Sequence, residues 1–231
     1  MLKIDKTDVY GWEAAIRGMR NPKNSWSKSD SYTEYFYNEE NCETYSEFIF
    51  GKNDLELMKK LADAGDDHGK FMRMINVTCD IVAPLYWWKE FDTYKVGTVA
   101  DSCSTMHKIH DKKFDVYDFS HEHLLCEPET FWYHNSTGLL SCSTFEFCQI
   151  TCNILNHYRD LYLQTKDKEY WWQMIQLLPS SYNQKRTVQM NYQVLKHMYH
   201  ARKNHKLDEW HTFCDWVETL PNSELITGEK E

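Results

Sequence analysis

The chain has 231 residues, 42% hydrophobic and 15% aromatic, with a formal net charge of −9. This length can build one sizeable core, and the acidic balance argues against non-specific nucleic-acid binding, which depends on a basic footprint. No apolar run approaches the ~18 residues of a membrane span, and the start MLKIDKTDVYGW lacks the order of a signal peptide, so a cytoplasmic protein with no membrane partner is expected.

In chain order, residues 2–10 alternate loosely and predict an opening strand. Residues 12–19 predict a short helix stopped by Asn21-Pro22. Arg17 and Arg20 stand at its end, where a cation suits either the helix terminus or a phosphate. The polar loop NPKNSWSKSDSY is too long for a tight turn. Asn53-Asp54 is read as the cap of a helix in which Leu55, Met58, Leu61 and Ala62 recur at helical spacing and Gly65 closes the end. Residues 70–84 carry Phe71, Ile75, Val77, Ile81 and Val82 and read as a buried strand or a helix-to-strand pair, between which periodicity does not arbitrate. Residues 111–138 predict short helices and loops.

Phe145, Cys148, Ile150, Cys152, Leu155, Tyr158 and Leu161 then share one side at helical spacing and predict the longest core helix. A second helix stops at Pro179, SYNQKRT leads into a third over 188–204, and a last helix ends at Pro221. The domain is expected over 1–221, with a disordered tail over 222–231. The simplest fold class is α+β.

Residues 83–110 combine two Trp, two Tyr, three Lys, a glycine turn and a Ser-Cys-Ser-Thr run, and read as the wall of a ligand site. The segment from Lys89 to Lys95 suits a solvated strand edge or a cation beside aromatic faces, as a planar anion would require. Ser102, Ser104 and Thr105 offer hydroxyls to cap a short helix whose amides would also attract a phosphate. Asn191, Leu195, Met198 and Arg202 fall along one helical stripe that begins with an amide and ends with a guanidinium, which suits a cleft. Eleven histidines include His121-x-His123 and the pair His197 and His200, but no HExxH accompanies them and they read as surface or interface groups, with no metal expected. The eight cysteines form no CxxC and read as free, mostly buried thiols, although Cys148 and Cys152 also have the spacing of a helical metal pair. No GxSxG, P-loop or GxGxxG is present.

Leu178-Pro179, followed by Asn191-Tyr192-Gln193-Val194-Leu195-Lys196-His197-Met198 with Arg202 in register, resembles the C-terminal pattern of the flavin-dependent thymidylate synthases (ThyX), in particular divergent phage-like members. The helix-prone EAAIR and the passage through Gly65 and His68 into KFMRMINV are similar to that family's opening. The family signature, Arg-His-Arg and a serine seven or eight residues on, falls without gaps on Tyr94-Lys95-Val96 and Ser104, so only the serine is kept; the Arg of Asn-x-Arg becomes Gln193.

The resemblance implies a single α+β domain with an antiparallel sheet packed with several long helices. It also implies a homotetramer that methylates dUMP to dTMP with FAD, NADPH and methylenetetrahydrofolate. Carried over by position, Ser104 would be catalytic. Ser104, Arg202 and Lys95 would contact the pyrimidine deoxynucleotide, and Asn191, Gln193, His197 and Lys95 would face the flavin. Without replacement, the lost arginines, each worth about 1.5–3 kcal/mol of charge-assisted hydrogen bonding, would weaken anion binding by orders of magnitude. Lys89, Lys95, Lys108 or Arg73 are the candidates for recruitment. The alternatives are a nucleotide- or flavin-binding protein on the same fold without methyl transfer, and a purely structural oligomer.

Overall fold

The computed structural model describes residues 2–38, 42–127, 131–135 and 138–228. The fold is α+β, with a four-stranded antiparallel sheet in the order β1-β4-β8-β5. Its strands are β1 (Lys3–Tyr10), β4 (Asn76–Pro84), β5 (Thr98–Ser102) and β8 (Asn183–Asn191). Two hairpins stand apart from it: β2 (Tyr32–Asn38) with β3 (Glu43–Ile49), and β6 (Phe131–Asn135) with β7 (Gly138–Cys142). The helices are α1 (Trp12–Arg20), α2 (Lys52–Asp63), α3 (Leu85–Phe91), α4 (Thr105–Lys108), α5 (Thr144–Thr165), α6 (Lys168–Leu177), α7 (Tyr192–Arg202), α8 (Asp208–Glu218) and α9 (Glu224–Thr227). Among the described residues, no helix is long and apolar enough to cross a membrane.

The chain divides into two compact units. The first comprises Met1–Lys3, Ile81–Thr93 and Asp101–Arg186. Its core joins Ile109, Phe114 and Phe119 to Cys152 and Leu155 of α5 and Met174 of α6. α5 is the expected long helix, and Ser143 caps it in a reciprocal pair with Glu146. Trp87 and Trp88, expected in a ligand wall, are instead core residues of α3, 0% and 1% exposed, packed edge-on at 4.9 Å and both against Phe91. The helix runs Leu85–Phe91 with Pro84 at its N-cap, because an aromatic at i, i+1 and i+4 gives a helix one continuous buried face. Of the segment Lys89–Lys95, which reads as a strand edge, residues 89–91 are thus helical and 92–95 form a turn and loop rather than a strand.

The second unit comprises Ile4–Asp80, Tyr94–Ala100 and Thr187–Glu231. A 3₁₀ segment, Gly69–Met74, packs against α1, α2 and α7, and α7 packs against α8 and α9. Residues 70–84 are thus a helical turn followed by a strand. Residues 188–191, expected at the start of a helix, belong to β8, in which Gln184, Val188 and Met190 alternate inward. The tail also departs from expectation: Leu225 and Ile226 of α9 are 1% and 0% exposed, while residues 229–231 lie outside the described residues.

Candidate functional site

The change from β8 to α7 brings three of the expected site residues together in the second unit. Asn191 ends the strand in an extended conformation, and its Oδ1 accepts the Val194 amide at 2.9 Å, so it caps the helix that carries the other two. Gln193 and His197 follow four residues apart on α7 and share a face. With Arg73, Val96, Gly97 and Val194 they line a cavity of about 260 Å³.

Gln193 is 5% exposed, and its Oε1 accepts Arg73 Nε at 2.5 Å. No described residue takes the terminal amino groups of Arg73, so this guanidinium is fixed at one edge and open at the other. One turn further along α7, His197 Nε2 lies 2.9 Å from Asp66 Oδ2. Gly97 adopts φ +86°, and a Cβ there would stand 2.6 Å from Asn191 Nδ2, so the 94–97 segment approaches the cap as only a glycine permits. The donor set is one guanidinium, two carboxamides and an imidazole against a backbone wall. It fits the polar edge of a planar heterocycle or a phosphate oxygen. The volume is below the ~300–1,000 Å³ of sites that enclose a drug-sized ligand, so it suits one end of a larger molecule.

Arg202 and Lys95 lie in the same unit but do not line this cavity. Arg202 Nε donates to the Tyr94 hydroxyl at 2.9 Å, and the guanidinium lies 4.8 Å from the Trp210 ring and 5.6 Å from that of Tyr94. Lys95 is exposed beside them. Tyr94, standing where the resemblance places an arginine, is thereby the aromatic and hydrogen-bonding partner of Arg202.

Ser104 belongs to the first unit. Its Oγ accepts the His107 amide at 3.1 Å and caps α4, which is too short to act as an anion site by its own dipole. Around it, Lys108, Lys112, Lys185, Tyr117 and Asn183 line a cavity of about 300 Å³. Lys108 pairs with Asp111 at 3.1 Å and Lys112 with Asp118, which reduces the net positive field. Asn183 Oδ1 is buried there without a protein partner among the described residues. A further groove of about 480 Å³, lined by Leu124, Phe147, Cys148 and Pro179 together with hydroxyl residues such as Ser120 and Thr151, contains no charged side chain to neutralise an anion.

In the sequence Arg73 stands out only as one of several possible recruits, and Asp66 and Gly97 do not stand out as site residues. The signal for Gly97 was its isolation inside an apolar stretch, the pattern of a close backbone approach. Nothing local announces Asp66, whose partner lies 131 residues away.

No protein-family model matches the chain, and no curated protein sequence does. Solved structures do. Thymidylate synthase X from Helicobacter pylori, crystallised with FAD and dUMP, shares 13% identity over 97% of this chain and 96% of its own, with a TM-score of 0.64. The UMP/dUMP methylase PolB from Streptomyces cacaoi, bound with 5-Br dUMP, shares 12% over 98% and 94%, with a TM-score of 0.58. At such identities the likeness is one of fold, and the fold of this chain is ThyX-like.

Proposed function

We propose that the protein is a divergent flavin-dependent thymidylate synthase that binds FAD and a pyrimidine deoxynucleotide and methylates dUMP reductively, with NADPH and methylenetetrahydrofolate as co-substrates, in a homotetramer. One observation carries this reading: Asn191, Gln193 and His197, which the family resemblance assigns to the flavin, line one cavity with a guanidinium from Arg73 hydrogen-bonded to Gln193. The arginine missing from Asn-x-Arg is thus replaced in function by an arginine from another element.

When bound, the flavin would supply the redox chemistry. The chain's own tasks are to bind and orient. Arg73 offers two donors to an anionic or carbonyl oxygen, with a fixed Nε that limits its rotation. Asn191 Nδ2 and Gln193 Nε2 can donate to ring acceptors. The imidazole of His197, held by Asp66, is a further polar group on the lining. Arg202 acts from its aromatic bracket, and Lys95 and Ser104 are assigned to the nucleotide by the resemblance.

A second reading, a flavin or nucleotide binder without methyl transfer, is favoured by the Tyr94-Lys95-Val96 sequence, which offers one ammonium where a bidentate fork is expected. Purified protein incubated with FAD and desalted separates the readings. Retained yellow colour that bleaches with NADPH, and dTMP formed from dUMP, support the synthase. Retained flavin with no dTMP supports the binder, and no retained flavin overturns both flavin readings. Arg73→Ala should weaken flavin retention at least tenfold, the equivalent of one charge-assisted hydrogen bond, about 1.5–3 kcal/mol.

A further inference from the structure

The second unit contains another basic pocket, formed where the long polar loop after α1 meets the first turn of α2. Arg20, Lys23, Ser25, Lys28, Asn53 and Leu57 line a cavity of about 710 Å³. We propose that it binds the phosphate group of a phosphorylated small molecule.

The case rests on where the local carboxylates go. Residues 21–29 carry Lys23 and Lys28 and no acid. Asp30 accepts the amides of Asn53 and Asp54 at 3.0 and 3.1 Å, so it is already the cap of α2. Asp54 is 0% exposed and accepts Arg20 Nε at 2.6 Å, Ser29 Oγ at 2.9 Å, and the amides of Asp30 and Ser31 at 3.0 and 2.9 Å. Neither acid pairs with the lysines, which have no carboxylate partner among the described residues. In a chain of net charge −9, two unneutralised ammonium groups on one cavity are a local reversal of sign.

The cavity is also built. Arg20 is 3% exposed; its Nε is held by Asp54 and its Nη1 by the Ser25 carbonyl at 3.2 Å, while Nη2 has no partner among the described residues. The loop is not slack: two 3₁₀ turns, Asn21–Lys23 and Trp26–Lys28, shape it, and Trp26 Nε1 donates to Asn21 Oδ1 at 2.8 Å. A fixed guanidinium amino group, two ammoniums, an amide and a hydroxyl form a multi-donor site of about two net charges. That matches a phosphate dianion better than a single carboxylate, and Leu57 gives the organic part an apolar wall. This pocket shares no lining residue with the Arg73 cavity.

Inorganic pyrophosphate titrated into the full chain at low ionic strength, read by calorimetry, tests the proposal. The expected result is saturable binding that the double variant Lys23→Ala/Lys28→Ala weakens at least tenfold, that Arg73→Ala leaves in place, and that raised salt weakens. Lack of binding, an unchanged affinity in the double variant, or equal binding of a simple dicarboxylate such as succinate would overturn it. Both lysines are exposed, so the variant should fold. FAD retention measured on the same variant should be unchanged, which keeps failure of this pocket distinct from failure of the flavin reading.

Discussion

Gly97 and Asn191 form the tightest point of the candidate flavin cavity. A Cβ at Gly97 would lie 2.6 Å from Asn191 Nδ2, and φ +86° is a strained value for any other residue. Gly97→Ala should therefore destabilise the protein by about 1–3 kcal/mol, measured by urea unfolding, and weaken flavin retention by displacing the Asn191 side chain. A variant with wild-type stability and retention would show that the segment moves aside freely. Arg202 illustrates the opposite case, a residue that sequence identified and structure engaged elsewhere. Its position on the α7 stripe is legible from spacing alone. Its partners are not, because Tyr94 lies 108 residues away in the chain and Trp210 reaches the guanidinium only through the turn from α7 to α8. Loss of nucleotide response in Arg202→Ala is thus meaningful only beside the stability of the free variant, which should fall by about 1–2 kcal/mol from the lost hydrogen bond and cation–π contact.

Elements marked by local chemistry were legible, and those fixed by distant partners were not. α5 shows both its stripe and its Ser143/Glu146 cap in sequence. The start of α7 was misplaced because Val188, Tyr192 and Leu195 fit a helical stripe as well as Val188 and Met190 fit a strand; Asn191 is the switch between the two periods. α2 has its cap from Asp30, more than twenty residues upstream, so Asn53-Asp54 looked like the cap from sequence alone. The β2–β3 hairpin is not legible in the sequence, since Tyr35, Tyr37 and Tyr45 are 74%, 62% and 56% exposed and no polar/apolar alternation marks its strands. The Asn191 assignment has a direct test. Asn191→Ala should lower stability by about 1 kcal/mol through loss of the cap, while Asn191→Asp keeps the acceptor and most of the stability. If the two variants unfold at the same denaturant concentration, the cap contributes nothing.

Across the whole molecule, the α+β class follows from the succession of patterns, and the ThyX-like architecture is visible only through the C-terminal motif and the shorter likenesses at EAAIR and KFMRMINV, since 13% identity leaves few positions to carry it. Unit membership is not legible in the sequence: Ser104 belongs to one compact unit, and Asn191, Gln193 and Arg202 belong to the other. Acid stability is likewise a property of buried partners. Burial alone would raise the Asp54 carboxyl, but hydrogen bonds from Ser31, Arg20, Ser29 and the Asp30 amide outweigh it and hold the pKa at about 2, against 3.8 when unperturbed. Because the folded value is the lower one, the unfolded chain binds the proton first as pH falls. The stabilisation is then complete above pH ~4, declines from pH ~4 to ~2, and is absent below; the difference in pKa corresponds to about 2 kcal/mol. Replacing Asp54 by Asn would also strand the buried Arg20, so the titration is better followed in the intact protein. Carboxyl NMR should give Asp54 a midpoint near 2, and unfolding free energy should lose about that amount within the same window. A midpoint at the unperturbed value would mean that the Arg20–Asp54 pair, and with it the wall of the proposed phosphate pocket, is not rigid in solution.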